Sequence, residues 1–268
     1  MDHEIADVDY REPTGLEGEK QYHVQCGPED INPIVFVPGS QNRVKKIADE
    51  LDDAKTVQKN RGLITVNGHY EGRPFTITST GMGGPAAAIV YEELINLGAE
   101  VLIRIGSMAG MQDYVQEGDL VIPYGAVRDD GATQYYVPEK YPAVPSPEVF
   151  QSLTGAARNL EADFHTGINW THSAFYSRSP DYFKGWANKG VVSLEMEAAT
   201  LFVISQLRDV RSGVIGTCFA NRKKQSSGED VDLSVPSADS EAVQQGVVSS
   251  IKVALDAGRK LYEKLELT

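Results

Sequence analysis

The stretch Val101-Leu102-Ile103-Arg104-Ile105-Gly106-Ser107-Met108-Ala109-Gly110 decides how this chain folds. Its first half is an apolar run of the kind that forms a buried strand, and its second half breaks into small residues. Between the two stands an arginine. A guanidinium at the end of a buried strand is costly unless paired, so Arg104 either meets a buried carboxylate or holds a ligand anion. Gly106 and Ser107 follow at once. Small residues let the backbone approach a ligand, and a serine hydroxyl and nearby N–H groups can donate to one oxyanion. The reading favoured is an anion seat at the end of a strand.

On either side of this strand, strand and helix patterns alternate. Residues 32–37 read as a buried strand ended by Pro38-Gly39-Ser40, with helical spacing from 42 to 51. Residues 63–66 and 75–78 flank the turn-prone Glu71-Gly72-Arg73-Pro74 and predict an antiparallel hairpin. The second of these leads through Ser79-Thr80-Gly81-Met82-Gly83-Gly84-Pro85 into an apolar helix from 86 to 97, with Gly98 as its stop. Further strands are expected at 118–123, 164–170, 191–194 and 213–220, and helices at 147–160, 181–189, 195–207 and 240–265. The alternation predicts an α/β domain whose mixed sheet carries helices on both sides. Residues 1–21 lack periodicity and are expected to form a mobile arm, leaving 22–268 as one domain. The polar, glycine-bearing 221–240 is a candidate lid.

Composition narrows the function. The 268 residues carry a formal net charge of −13, which repels phosphate backbones and argues against a nucleic-acid partner. A small anion remains possible where arginines and N–H groups concentrate locally. No apolar run is long enough to cross a bilayer, and no basic-then-apolar leader is expected. Cys26 and Cys218 match no metal or disulfide spacing, so a reducing, cytoplasmic setting without a metal is expected.

Two other segments carry chemistry. Gly39 and Arg43 sit at the turn and first helical turn after a strand, where N–H groups, the helix dipole and a guanidinium can converge on an anion. Such corners also serve as plain tight connections. Glu195-Met196-Glu197 places two carboxylates at the expected start of a helix, where they are favourable in any case. At the C-terminal edge of a sheet they can also accept sugar hydroxyls. Phe175-Tyr176 either stacks a planar base or belongs to the core.

Val37-Pro38-Gly39 with Arg43, the run 79–85, Arg104-Ile105-Gly106-Ser107 and Leu194-Glu195-Met196-Glu197-Ala198-Ala199 together resemble the hexameric nucleoside phosphorylase family, uridine and purine enzymes included. The resemblance extends from about Tyr22 to the closing helix. It implies a three-layer α/β/α fold with a central mixed, partly barrel-like sheet. It also implies phosphorolysis of a nucleoside to free base and ribose 1-phosphate, with inorganic phosphate as co-substrate and no cofactor. By the same resemblance, Gly39, Arg43, Arg104 and Ser107 hold phosphate, with Arg61 supplied by a neighbouring subunit of a homohexamer. His23 crosses a dimer interface to the ribose, Met196 and Glu197 hold the ribose, and Glu195 supports them. Arg43, Arg104 and Glu197 are the implied catalytic set. Phe175, Ser179, Asn221 and Arg222 fall on the base side.

The chain departs from the family at the base. Ser179 and Asp181 stand where uridine phosphorylases carry a glutamine and an arginine, and Met108-Ala109-Gly110 breaks the usual small-residue order. Asn221 stands where the bacterial purine enzymes carry an aspartate acid. An amide can hydrogen-bond an oxo group but cannot deliver a proton efficiently, which disfavours adenosine. Uridine is the favoured substrate, with guanosine or inosine next; a water-using nucleosidase and a non-catalytic nucleoside-binding protein are the rivals.

Overall fold

The computed structural model of the chain describes residues 18–177, 179–222 and 240–267. In order, the elements are β1 (Ile34–Phe36), α1 (Gln41–Ala48), β2 (Asp52–Asn60), β3 (Leu63–Tyr70), β4 (Arg73–Thr78), α2 (Gly84–Asn96), β5 (Val101–Gly110) and β6 (Leu120–Asp129). They continue with α3 (Pro147–Asn159), β7 (Phe164–His172), α4 (Pro180–Ala187), β8 (Ser193–Glu195), α5 (Ala198–Leu207), β9 (Arg211–Asn221) and α6 (Glu241–Lys264).

The nine strands form one mixed sheet in the order β2-β3-β4-β1-β5-β8-β7-β6-β9, and β9 also pairs with β5. That extra pairing closes β5, β8, β7, β6 and β9 on themselves, while β1 to β4 extend from the ring as an open wing. The expected α/β class with a partly barrel-like mixed sheet is thus observed. β5 is the hinge of this arrangement. Along one edge it runs parallel to β9 from Val101 to Gly110. Along the other it first pairs in parallel with β1, Ile34 to Phe36 opposite Val101 to Ile103, and then antiparallel with β8 at Ala109 and Gly110. Between those neighbours, residues 104–108 face a notch, a topological switch point of the kind where α/β sheets bind ligands.

Strand parity assigns each side chain to a layer. Ile34, Phe36, Val101, Ile103 and Ile105 pack with α3 and α6 in one core. Val35, Val37 and Leu102 pack with α2 and α5 in the other. Arg104 is in step with Leu102, so its side chain enters the layer beneath α2 and α5. A third cluster seats α4 on β7 and β8 through Trp170, Phe183 and Leu194.

Three expectations change. No strand was expected at 52–60, yet β2 forms there as a largely exposed edge strand with two register shifts against β3. Its polar sequence lacks the apolar alternation that marks a half-buried strand. The strand at 101–105 continues to Gly110, because β9 supplies ladder partners for the small residues. Of the arm expected over 1–21, residues 18–21 are seated: Gly18 N–H donates to Asn96 O at 3.1 Å and Gln21 is fully buried. Residues 1–17, and 223–239 of the expected lid, lie outside the described residues.

Candidate active site

The notch in β5 opens into a cavity of about 280 Å³. Gly39, Arg43, Arg104 and Ser107 line one end; Glu195, Met196 and Glu197 line its wall, and Phe175 and Arg222 also border it. Segments far apart in sequence therefore meet here as the resemblance implied.

Local folding explains how each arrives. Ser40 caps α1, its Oγ accepting from Arg43 N–H at 3.2 Å, which fixes Arg43 in the first helical turn facing the notch. Its guanidinium reaches Gly106 O at 3.4 Å and Ser107 Oγ at 3.3 Å, and lies 6.0 Å from the Phe219 ring centre. Arg43 has no carboxylate partner among the described residues. Burial, and then the nearby Arg104 charge, push it down to about 10, the signature of a cation without an anion.

Arg104 is in the opposite condition. Its Nε donates to Glu195 Oε2 at 3.1 Å and its Nη2 to Glu197 Oε2. Burial works against the charge, but the attraction of Glu197 and Glu195 outweighs it and holds the guanidinium protonated. The choice between a carboxylate and a ligand is thus corrected: Arg104 does meet buried carboxylates. They do not use all of it, because Nη1 is buried with no partner among the described residues and lies 3.9 Å from where a Cβ on Gly39 would stand. Gly106 keeps the guanidinium uncrowded, since a Cβ there would stand 3.1 Å from Arg104 Nη2.

The two carboxylates are held from behind. Glu195 is the last residue of β8, not the start of a helix as expected, and Glu197 is the N-cap of α5. Glu195 Oε1 accepts from Asn169 Nδ2 at 2.8 Å and Thr171 Oγ1 at 2.7 Å, and its Oε2 accepts from the N–H groups of Glu197 and Ala198. Glu197 Oε1 accepts from Gly83 N–H at 2.6 Å. Gly83 caps α2 at φ 86°, ψ 155°, a backbone conformation that suits glycine. Burial raises Glu197, with Arg104 pulling the other way.

Sequence reasoning missed Asn169, Thr171, Gly83 and Phe219. Asn169 and Thr171 were detectable as two polar residues in step on one face of β7. Phe219 was not: β9 inserts one extra residue against β5 between Met108–Cys218 and Ala109–Ala220, and that bulge turns Phe219 into the cavity.

Other predicted positions fall elsewhere. Ser179 does not line the cavity; it caps α4, its Oγ accepting from Tyr182 N–H at 3.2 Å. Asn221 is turned the other way, donating to Gln112 O at 2.9 Å and Val115 O at 2.7 Å. Adjacent residues at a strand end point to opposite sides, so Asn221 and Arg222 could not both face the base. Phe175 borders the cavity while Tyr176 is 94% exposed, so neither belongs to the core. His23 and Arg61 also lie outside the cavity and sit together on the surface. His23 Nδ1 pairs with Glu93 at 2.6 Å, Asn60 Nδ2 donates to His23 O at 2.7 Å, and Arg61 Nη2 donates to Tyr22 OH at 3.1 Å.

Comparison with known proteins agrees with this geometry. Residues 33–253 match the model of the phosphorylase superfamily. The chain is 35% identical over 239 residues to guanosine phosphorylase of Halorubrum lacusprofundi, spanning 89% of this chain and 98% of the relative. It is 36% identical over 250 residues to uridine phosphorylase of Thermococcus kodakarensis, spanning 88% and 90%. Among solved structures, purine nucleoside phosphorylase from Toxoplasma gondii superposes with a TM-score of 0.86 at 26% identity, covering 93% of this chain and 99% of that one. The carboxylate-gripped arginine, its unpaired neighbour and the glycine turns around them are thus set in a recurrent fold, and the chain belongs to the phosphorylase superfamily.

Proposed function

We propose that this cavity cleaves the N-glycosidic bond of a nucleoside with inorganic phosphate, giving free base and ribose 1-phosphate, with uridine the favoured substrate. One observation carries the reading: Arg43, which has no carboxylate partner among the described residues, and Arg104, whose Nη1 is left unused by Glu195 and Glu197, border the same small cavity beside Ser107. Two guanidinium surfaces with donors to spare seat an oxyanion. Glu197, which meets Arg104 at the cavity wall, is the acceptor for ribose hydroxyls. As the base leaves, positive charge develops at C1′ of the sugar, and the phosphate both stabilises and attacks it. Holding nucleophile and sugar together supplies further advantage. The reaction calls for no metal or other cofactor.

The similarity to uridine phosphorylases, several at 30–36% identity, supports uridine. Guanosine or inosine is the second reading, favoured by the guanosine phosphorylase relative and by Ser179 serving α4 rather than a base. The surface cluster of Tyr22, His23, Asn60 and Arg61 supports a homohexamer built from dimers, in which each chain lends Arg61 and His23 to a neighbour's cavity. The two cysteines are buried and unpaired, which supports a cytoplasmic setting.

The test is a panel of uridine, thymidine, inosine, guanosine and adenosine, each with and without phosphate. Ribose 1-phosphate from uridine, only with phosphate, is expected. Base release without phosphate would establish a nucleosidase, and binding without turnover a nucleoside-binding protein.

A further inference from the structure

Tyr91 stands in the middle of α2 with its side chain wholly buried. It packs in the apolar layer shared with Leu102, Ala198 and Val214, where a phenylalanine would fill the same space. A hydroxyl in such a place costs free energy unless it is bonded, and that of Tyr91 makes no well-formed hydrogen bond among the described residues. Its surroundings are not purely apolar, however: the phenol lies within electrostatic reach of Arg104, Glu197 and Glu195. Arg104 itself carries the other orphan of this region, the buried Nη1. A hydroxyl oxygen and a guanidinium with a donor to spare thus lie within reach of each other, without a well-formed bond between them, while Glu195 and Glu197 hold the remaining face of Arg104.

We propose that the Tyr91 hydroxyl is a positioning group for Arg104, accepting a guanidinium N–H when phosphate and sugar draw Arg104 away from Glu197. The inference rests on the phosphorolysis reading above and adds a residue to that site. A phenol suits this task where a third carboxylate would not. It fixes the plane of the guanidinium without cancelling the charge that the phosphate needs, whereas Glu195 and Glu197 each neutralise part of it. Burial raises the phenol well above its ordinary range, so it stays neutral across the working pH range.

The experiment compares the wild type with Tyr91→Phe in the full chain, measuring phosphate-induced thermal stabilisation and the KM values for phosphate and nucleoside. Loss of the hydroxyl is expected to weaken phosphate about tenfold by both measures, the size of a lost hydrogen bond to a charged group. The nucleoside KM should stay within about twofold, and the melting temperature without phosphate should be unchanged or higher, because a buried hydroxyl has gone. Tyr91→Leu should lower the melting temperature and show the same phosphate defect in its folded fraction. Phosphate affinity in Tyr91→Phe equal to that of the wild type would overturn the inference alone. A wild type that neither binds phosphate nor requires it would overturn the phosphorolysis reading, and this inference with it.

Discussion

The two ends of the cavity are built to different standards. At the end formed by Arg43, Arg104, Glu195 and Glu197, side chains are buried and most polar groups are held by named donors from β7, α2 and α5. At the other end, Phe175 comes from a loop, Met82 is 82% exposed and Arg222 lies just past the end of β9. Rigid elements fix the buried charged groups, and loops fix those proposed to meet the base. The difference implies that reaction type and substrate choice are separable: the first is anchored in the sheet, and the second can change without disturbing it.

Substitutions probe that contrast, beginning with the anchored end. Arg104→Ala removes a charge-stabilising donor and should lower phosphorolysis by about 10²–10³-fold. It also leaves Glu195 and Glu197 buried without their cation, so stability should fall by about 3–5 kcal/mol, read from chemical denaturation. A variant as stable as the wild type would show that the carboxylates do not depend on Arg104.

Arg43→Met should behave differently although the two arginines are neighbours. Losing its bonds to the anion is expected to raise the phosphate KM by about 10–100-fold. The melting temperature without phosphate should be equal or higher, because a buried cation lacking a carboxylate has been replaced by an apolar chain. Phosphate should stabilise the wild type by about 2.7 kcal/mol at a hundred times its Kd, and Arg43→Met by only about 0.4–1.4 kcal/mol at the same concentration. A lower melting temperature for Arg43→Met would mean that its contacts with Gly106 and Ser107 outweigh the burden of its charge.

The smallest effect belongs to the base end. Phe175→Leu should raise the nucleoside KM by roughly 2–10-fold, the range of a lost aromatic contact, with phosphate KM and stability unchanged. A shift in the preference between uridine and guanosine would sharpen the contrast; a matching rise in phosphate KM would break it.

The sequence was legible where one physical signal dominates. Apolar runs marked β1 and β5, and the helical periodicity of α2, α3 and α6 marked their faces. The arginine stranded in an apolar run marked a buried charge, which Glu195 and Glu197 meet. Signals that compete were misread. The acidic pair 195–197 looked like the start of a helix because negative charge favours that position, yet Glu195 pairs as a strand residue with Thr171 of β7. β2 was hidden because an exposed edge strand gains little from apolar alternation. Ser179 and Asn221 were assigned by alignment to the base, whereas a helix cap and two backbone carbonyls claim them.

The bulge at Phe219 fixes the parity of everything that follows it in β9. Ala220 and Arg222 face the cavity because one residue has been looped out, while Asn221 faces the 112–115 loop. Deleting Phe219 would leave an even ladder with Ala220 still opposite Ala109 and Asn221 still opposite Gly110, so those faces would be kept and only the aromatic ring would leave the cavity. The extra residue thus adds one side chain to the cavity wall without changing the direction of any that follow it.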